Sequence, residues 1–156
     1  MKTIEQRIDV KAHLLEAFDC AQHYANRKTW DPFIARLKHR DELSVPIHLR
    51  TMVRLKMKCE YLKYDKPKCV KIKMVEGPGF LKEFIGTWRF IYLDAERTAV
   101  IYTYAYELDP GRAWMKTIVE GYFQWDMKRR LIALKNELEQ DVDLLEEMEQ
   151  RLMVAV

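Results

Sequence analysis

VEGPGFLKEFIGTWRF (residues 75–90), IYLDAERTAV (91–100) and IYTYAYEL (101–108) run on as one segment. It carries the strongest structural signal in the chain. The alternation of side chains predicts two strands joined by a short polar turn at 94–96. Residues two apart on a strand point to the same face. Phe84, Trp88, Phe90 and Tyr92 therefore share one side of the first strand, and Val100, Tyr102, Tyr104, Tyr106 and Leu108 one side of the second. Seven aromatic rings converge on one face of a hairpin, more bulk than a thin two-layer core requires. This points to a deep interior able to hold a ligand. The hairpin offers no obvious nucleophile or metal ligand, so it speaks of binding before chemistry.

Outward from this hairpin, the N-terminal segment Thr3 to Val10 alternates as a strand, and residues 12–27 have helical spacing in Leu14, Leu15, Phe18 and Ala21, with a break expected near Asn26. Trp30-Asp31-Pro32-Phe33 is a turn, because proline disfavours helix for the residue before it. Strands are expected at about 34–41, 51–62 and 69–76, with a further short one at 43–49 made doubtful by Pro46. Pro67 and Gly77-Pro78-Gly79 mark bends. After Asp109-Pro110-Gly111 the period changes to about 3.6. Met115, Ile118, Val119, Tyr122, Trp125, Leu131, Leu134 and Leu138 mark a stripe on a long helix. The order predicts one α+β domain: a curved antiparallel sheet wrapped around a long C-terminal helix, with two short helices after the first strand. Residues 1–138 form the expected ligand-binding domain, and 139–156 extend its last helix.

Composition narrows the function classes. A chain of 156 residues with 33% charged and 49% hydrophobic residues is an ordinary globular domain. The N-terminus lacks the apolar centre of a signal peptide and no apolar run reaches the roughly 18 residues of a membrane span, so a cytoplasmic location is expected. Cys20, Cys59 and Cys69 are odd in number and scattered, and the four histidines lack metal-ligand spacing. Neither disulfide, metal nor cofactor is expected.

At this point the residues resemble a known group. An opening strand and helix, Trp30-Asp31-Pro32-Phe33, GPGF at 77–80, GTWRF at 86–90, TAVIYTYAYEL at 98–108 and a terminal helix follow in order. Together they are similar to the SRPBCC superfamily, with the helix-grip fold of START-related lipid-transfer domains and the birch-pollen allergen. Within it, the polyketide cyclase/dehydrase and coenzyme Q-binding group, which includes ribosome-association toxins, looks closest. The similarity spans about residues 3–138. It departs where residues 51–65 lack a clear glycine-containing hairpin and where the helix runs past its usual end. The resemblance implies an apolar cavity enclosed by sheet and helix. It also implies a hydrophobic ligand of lipid, isoprenoid or polyketide type.

The expected lining combines the hairpin with its neighbours: Trp30, Phe84, Trp88, Phe90, Tyr102, Tyr104, Tyr106, Trp114, Ile118 and Tyr122. A bland alternative stands beside it, that these aromatics simply fill a core. The tyrosines weigh toward binding, because a buried phenol left without a partner costs about 1–3 kcal/mol and phenylalanine would fill a dry core more cheaply. Catalysis of the cyclase type needs proton donors and acceptors near the substrate. Glu83 and Arg89 fall by parity on the opposite face, Asp126 sits beside the helix stripe in a position open to solvent, and no carboxylate or arginine is placed inside. No catalytic residue is assigned.

Charge is uneven although the net value is only +3. From Arg36 to Lys73 there are twelve Lys/Arg against four Asp/Glu. Arg36, Lys38 and Arg40, then Arg54, Lys56 and Lys58, then Lys71 and Lys73 alternate with apolar residues, which predicts a basic outer sheet face. It is either a solvated surface or a seat for an anionic partner such as a ribosome or a membrane. Specific DNA readout is not expected. From Glu137 onward there are seven acids and one arginine. Leu138, Leu145 and Leu152 keep an apolar edge there, so a homodimer through the C-terminal helix is expected.

Overall fold

The computed structural model describes residues 1–31, 49–50 and 56–155. The expected strand at 34–41, that at 43–49 except for Leu49, and the first part of that at 51–62 lie outside the described residues. Among the described residues six strands form one antiparallel sheet: β1 (Lys2–Val10), β2 (Leu49–Arg50), β3 (Lys56–Asp65), β4 (Cys69–Glu76), β5 (Leu81–Asp94) and β6 (Arg97–Leu108). Their order across the sheet is β1-β6-β5-β4-β3-β2. Two short helices, α1 (Leu14–Gln22) and α2 (Tyr24–Trp30), follow β1, and a 3-10 turn (Pro110–Met115) leads into the long helix α3 (Lys116–Val154). This is the α+β helix-grip arrangement expected from the sequence.

The register places the aromatic residues as their parity predicts. Phe84 lies opposite Tyr106, Trp88 opposite Tyr102 and Phe90 opposite Val100. Gly86 occupies the same face opposite Tyr104. A side chain at Gly86 would press on Ile72, its Cβ coming within 3.2 Å of Ile72 Cγ1. Tyr92 is exposed near the hairpin tip. Helix α3 lays Val119, Phe123, Met127, Leu131, Leu134 and Leu138 against this face, and α1 closes it with Ala17, Phe18 and Ala21.

Local chemistry sets the helix boundaries. The break between α1 and α2 is at His23, three residues before the expected position. His23 is extended (φ −70°, ψ 122°), its N–H donates to Asp19 O, and the Asn26 side chain donates to the same carbonyl. Those bonds satisfy a carbonyl that the end of α1 leaves open. Asp31, which precedes Pro32, is extended (φ −84°, ψ 105°) and ends α2.

Beyond Leu138 the helix continues away from the core. Leu144, Leu145, Met148 and Leu152 are exposed in the single chain. Glu139 accepts from the Lys11 N–H and pairs with Lys135, marking where α3 leaves the sheet. No helix among the described residues is long and apolar enough to cross a membrane. Lys56, Lys58, Lys71 and Lys73 of the basic face fall on described strands, and Lys58 pairs with Glu76 and Lys73 with Glu83, each at 3.6 Å. Arg36, Lys38, Arg40 and Arg54 lie outside the described residues.

Candidate functional site

The inner face of the hairpin carries a polar centre inside an aromatic wall. Strand β6 presents Tyr102 and Tyr104 to α3, which places Asp126 and Arg130 one turn apart above them. The end of α2 supplies Arg27 and Asp31. Arg130 joins all three elements. Its Nη1 donates to the Tyr102 hydroxyl (2.6 Å) and the Tyr104 hydroxyl (3.0 Å), and its Nη2 donates to Asp31 Oδ2 (2.9 Å). Arg27 Nη2 donates to the same oxygen at 3.0 Å, and Tyr104 donates its proton to Asp126 Oδ2 at 2.7 Å. All six residues are buried.

Aromatic rings hold this cluster in place. Trp88 stacks on Tyr102 with centroids 3.9 Å apart, and the Arg130 guanidinium lies 5.0 Å from the Tyr102 ring and 5.7 Å from that of Trp88. Tyr104 meets Phe84 and Phe123 edge to face. Not every polar atom is satisfied. Arg130 Nε, Arg27 Nε, Asp126 Oδ1 and the Tyr106 hydroxyl are buried without a hydrogen-bond partner among the described residues.

Electrostatics divides the cluster. Burial alone would raise the Asp31 carboxyl, but the guanidiniums of Arg130 and Arg27 outweigh it and hold that group below its usual range. Burial pushes Asp126 up, and Arg130 and the Tyr104 hydrogen bond only partly oppose this. Burial raises Tyr102, and burial together with the Asp126 charge raises Tyr104 well above the usual phenol value. Both phenols are therefore protonated at neutral pH and act as hydrogen-bonding groups rather than as bases.

The expected lining residues divide into three groups. Phe84, Trp88, Phe90, Tyr102, Tyr104 and Tyr106 are buried together on the inner face. Trp30 is buried at the end of α2, where its Nε1 donates to the Cys20 carbonyl, and Tyr122 is half-buried on α3. Trp114 and Ile118 are 72% and 63% exposed, which corrects their expected place in the interior. Asp126 is also corrected: it is buried and bonded to Tyr104 rather than solvated.

One error of helical phase explains these corrections. The first half of α3 is apolar on two sides, so periodicity groups Ile118, Tyr122 and Trp125 into one stripe with Val119, Leu131, Leu134 and Leu138, of which the last four are buried. The buried stripe is Val119, Phe123, Met127 and Leu134, with Asp126 and Arg130 on it. At 100° per residue this stripe lies roughly opposite the one through Ile118 and Trp125. The signal for Arg130 was its place in register with Phe123, Met127 and Leu134, where a charged residue is anomalous. Asp31 gave no comparable signal, because its position in a turn before proline explains it without any burial.

Comparison with known proteins agrees with this architecture. The structure is similar to that of an aromatase/cyclase from Streptomyces sp. R1128, with a TM-score of 0.77 and 16% identity over 90% of this chain and 95% of that one. A START superfamily protein from Mycobacterium smegmatis gives 0.68, with 12% identity over 88% and 97% of the two chains. A norcoclaurine synthase variant from Thalictrum flavum, solved with a transition-state analogue, gives 0.69 at 12% identity over 90% and 95%. At these identities the likeness concerns the fold. No curated protein matches in sequence. Residues 1–139 match the family described as polyketide cyclase/dehydrase and lipid transport, and the chain belongs to that family.

Proposed function

We propose that the protein binds a hydrophobic small molecule of lipid, isoprenoid or polyketide type between the sheet and α3, as a carrier or sensor. The buried cluster around Arg130 meets the polar group of that ligand. The supporting observation is a buried guanidinium ringed by Trp88, Tyr102 and Tyr104 that still has an unspent Nε–H, close in the network to a carboxylate with an unspent oxygen. Buried ion pairs add little stability compared with apolar residues of the same volume, because desolvation offsets their attraction. A polar group of this kind within an aromatic wall is the usual composition of a small-molecule site.

A cyclase reading uses the same residues differently. It requires a group free to accept a proton from substrate. The phenols are held protonated, and Asp31 accepts from two guanidiniums. Asp126 is the remaining carboxyl, and it already accepts from Tyr104. Binding therefore leads.

The test is a fluorescence titration with long-chain compounds that differ only in their polar head. Trp88 and Trp30 are the interior reporters, because Trp114 and Trp125 are exposed, and Trp88 is the one stacked on the cluster at Tyr102. Tyr104→Phe should weaken a polar-headed compound by about 0.5–1.5 kcal/mol if its hydroxyl makes one neutral hydrogen bond to it. It should leave a headless hydrocarbon unchanged. No spectral response to any compound overturns the proposal. Equal affinity of the parent, Tyr104→Phe and Tyr102→Phe for the polar-headed compound would remove the role given to the cluster.

A further inference from the structure

Ile118 and Trp125, two residues that the sequence offered as core, stand on an outward-facing apolar surface. Ile118, Trp125 and Ile132 lie seven residues apart along the outer side of α3, and Trp114 continues the line onto the preceding 3-10 turn. Their exposures, 63%, 42%, 42% and 72%, are those of side chains standing in water. Singly exposed apolar residues are common, but three large apolar residues at seven-residue spacing on one face of α3, with an exposed tryptophan on the turn before it, are the composition of an interaction surface.

The charges flanking the helical part of this patch are basic, and Asp109 at the start of the 3-10 turn is engaged in capping the Gly111 N–H. Lys128 and Arg129 flank Trp125, with the Arg129 guanidinium 5.1 Å from its ring centroid, and Arg112 is exposed on the 3-10 turn. Between Trp114 and Asn136 the sequence holds two acids. Glu120 is turned toward β1, 3.4 Å from Lys2, and Asp126 is buried in the cluster. Neither stands in the stripe.

We infer that this outer face of α3 docks on an anionic lipid surface, with Trp114 and Trp125 in the headgroup region and Arg112, Lys128 and Arg129 facing the acidic headgroups. Tryptophan favours such an interface because its ring is apolar and its N–H is polar. Basic residues beside an apolar helix face add attraction to anionic lipid. The acidic end of α3 does not cancel this attraction. Glu139, a nearer acid, is taken up by Lys135 and the Lys11 N–H. Asp143 is 14 residues beyond Arg129, about 21 Å along the helix and more than twice the Debye length of about 8 Å. The opposite charge of the two halves instead orients the protein, with the basic half toward the membrane and the acidic end away.

A second copy of the chain fits this face less well. Face-to-face pairing about a two-fold axis would bring the basic residues of two copies together. The apolar edge of the acidic extension, with Leu145, Met148 and Leu152, follows the phase of the buried stripe, and one straight helix pair cannot cover both sides.

The experiment is flotation of the full chain with phosphatidylcholine vesicles, with and without phosphatidylglycerol. The expected result is binding to the anionic vesicles only, weakening as salt rises, with a blue shift of tryptophan emission. Trp114→Ala combined with Trp125→Ala should reduce binding on the order of tenfold or more, and so should Lys128→Glu combined with Arg129→Glu. All four residues are exposed, and unchanged thermal melts establish that the variants fold. Absence of flotation, or flotation indifferent to both pairs of substitutions, overturns the proposal. So does a dimer of the intact chain that the tryptophan substitutions dissociate, or retention on RNA without binding to vesicles.

Discussion

Asp31 and Asp126 stand at the two ends of one chain of hydrogen bonds, Asp31–Arg130–Tyr104–Asp126, and their surroundings shift the two carboxyls in opposite directions. At the Asp31 end two guanidiniums converge on one carboxylate oxygen, and their charge more than offsets desolvation. At the Asp126 end a neutral phenol is the hydrogen-bond donor, Oδ1 has no partner among the described residues, and desolvation dominates. One end ties α2 to α3 through a paired charge. The other keeps a carboxyl whose charge its surroundings disfavour, and a ligand donor could relieve that.

The comparison breaks most readily at Asp31. Asp31→Asn leaves Arg27 and Arg130 buried without their counter-charge, and should destabilise the fold by about 3–5 kcal/mol in chemical denaturation. Because the folded-state pKa of Asp31 is depressed, its contribution is present above the usual carboxylate range and is lost as pH falls through the folded value. Loss of less than about 1 kcal/mol would mean that the two guanidiniums find other partners.

Tyr104→Phe tests the link between the two ends. It removes the proton donated to Asp126 and the oxygen that accepts from Arg130, and should cost about 1–3 kcal/mol without ligand. Asp126→Asn should change stability by at most about 1 kcal/mol, in the stabilising direction at neutral pH, because the amide oxygen still accepts from Tyr104 and no buried charge remains. Its pH profile gives the sign. With a folded-state pKa raised above the unfolded value, the parent protein loses stability as pH rises from the ordinary carboxylate range through that raised value, and the variant should not.

The smallest effect should come from ending the chain after Gln140, outside the network. Leu144, Leu145, Met148, Leu152, Met153 and Val154 are exposed and Val142 is half-buried, so the stability of the domain should change by less than about 0.5 kcal/mol. Sedimentation of the same pair tests self-association through the extension: a dimer lost on truncation supports it, and two monomers overturn it.

Much of the fold was legible because period-two patterning is unambiguous where one face of a strand is buried. Phe84, Trp88, Tyr102, Tyr104 and Tyr106 needed only their parity to be placed. The polar centre was less legible for two reasons. Helix α3 is apolar on opposite sides in its first half, so periodicity alone could not say which side faces the sheet. Asp31 reaches Arg130 across 99 positions of sequence, and pattern does not encode a pairing at that distance. The phase error was informative all the same, since Ile118 and Trp125, misread as core, lie on the exposed surface assigned to lipid.

Native mass spectrometry of the intact purified chain tests the central claim most directly. A hydrophobic molecule bound between the sheet and α3 predicts a species heavier than the bare chain, reverting to the bare mass in denaturing solvent and reduced in Tyr104→Phe. The bare mass alone, unchanged after incubation with long-chain compounds carrying neutral or acidic heads, would contradict it.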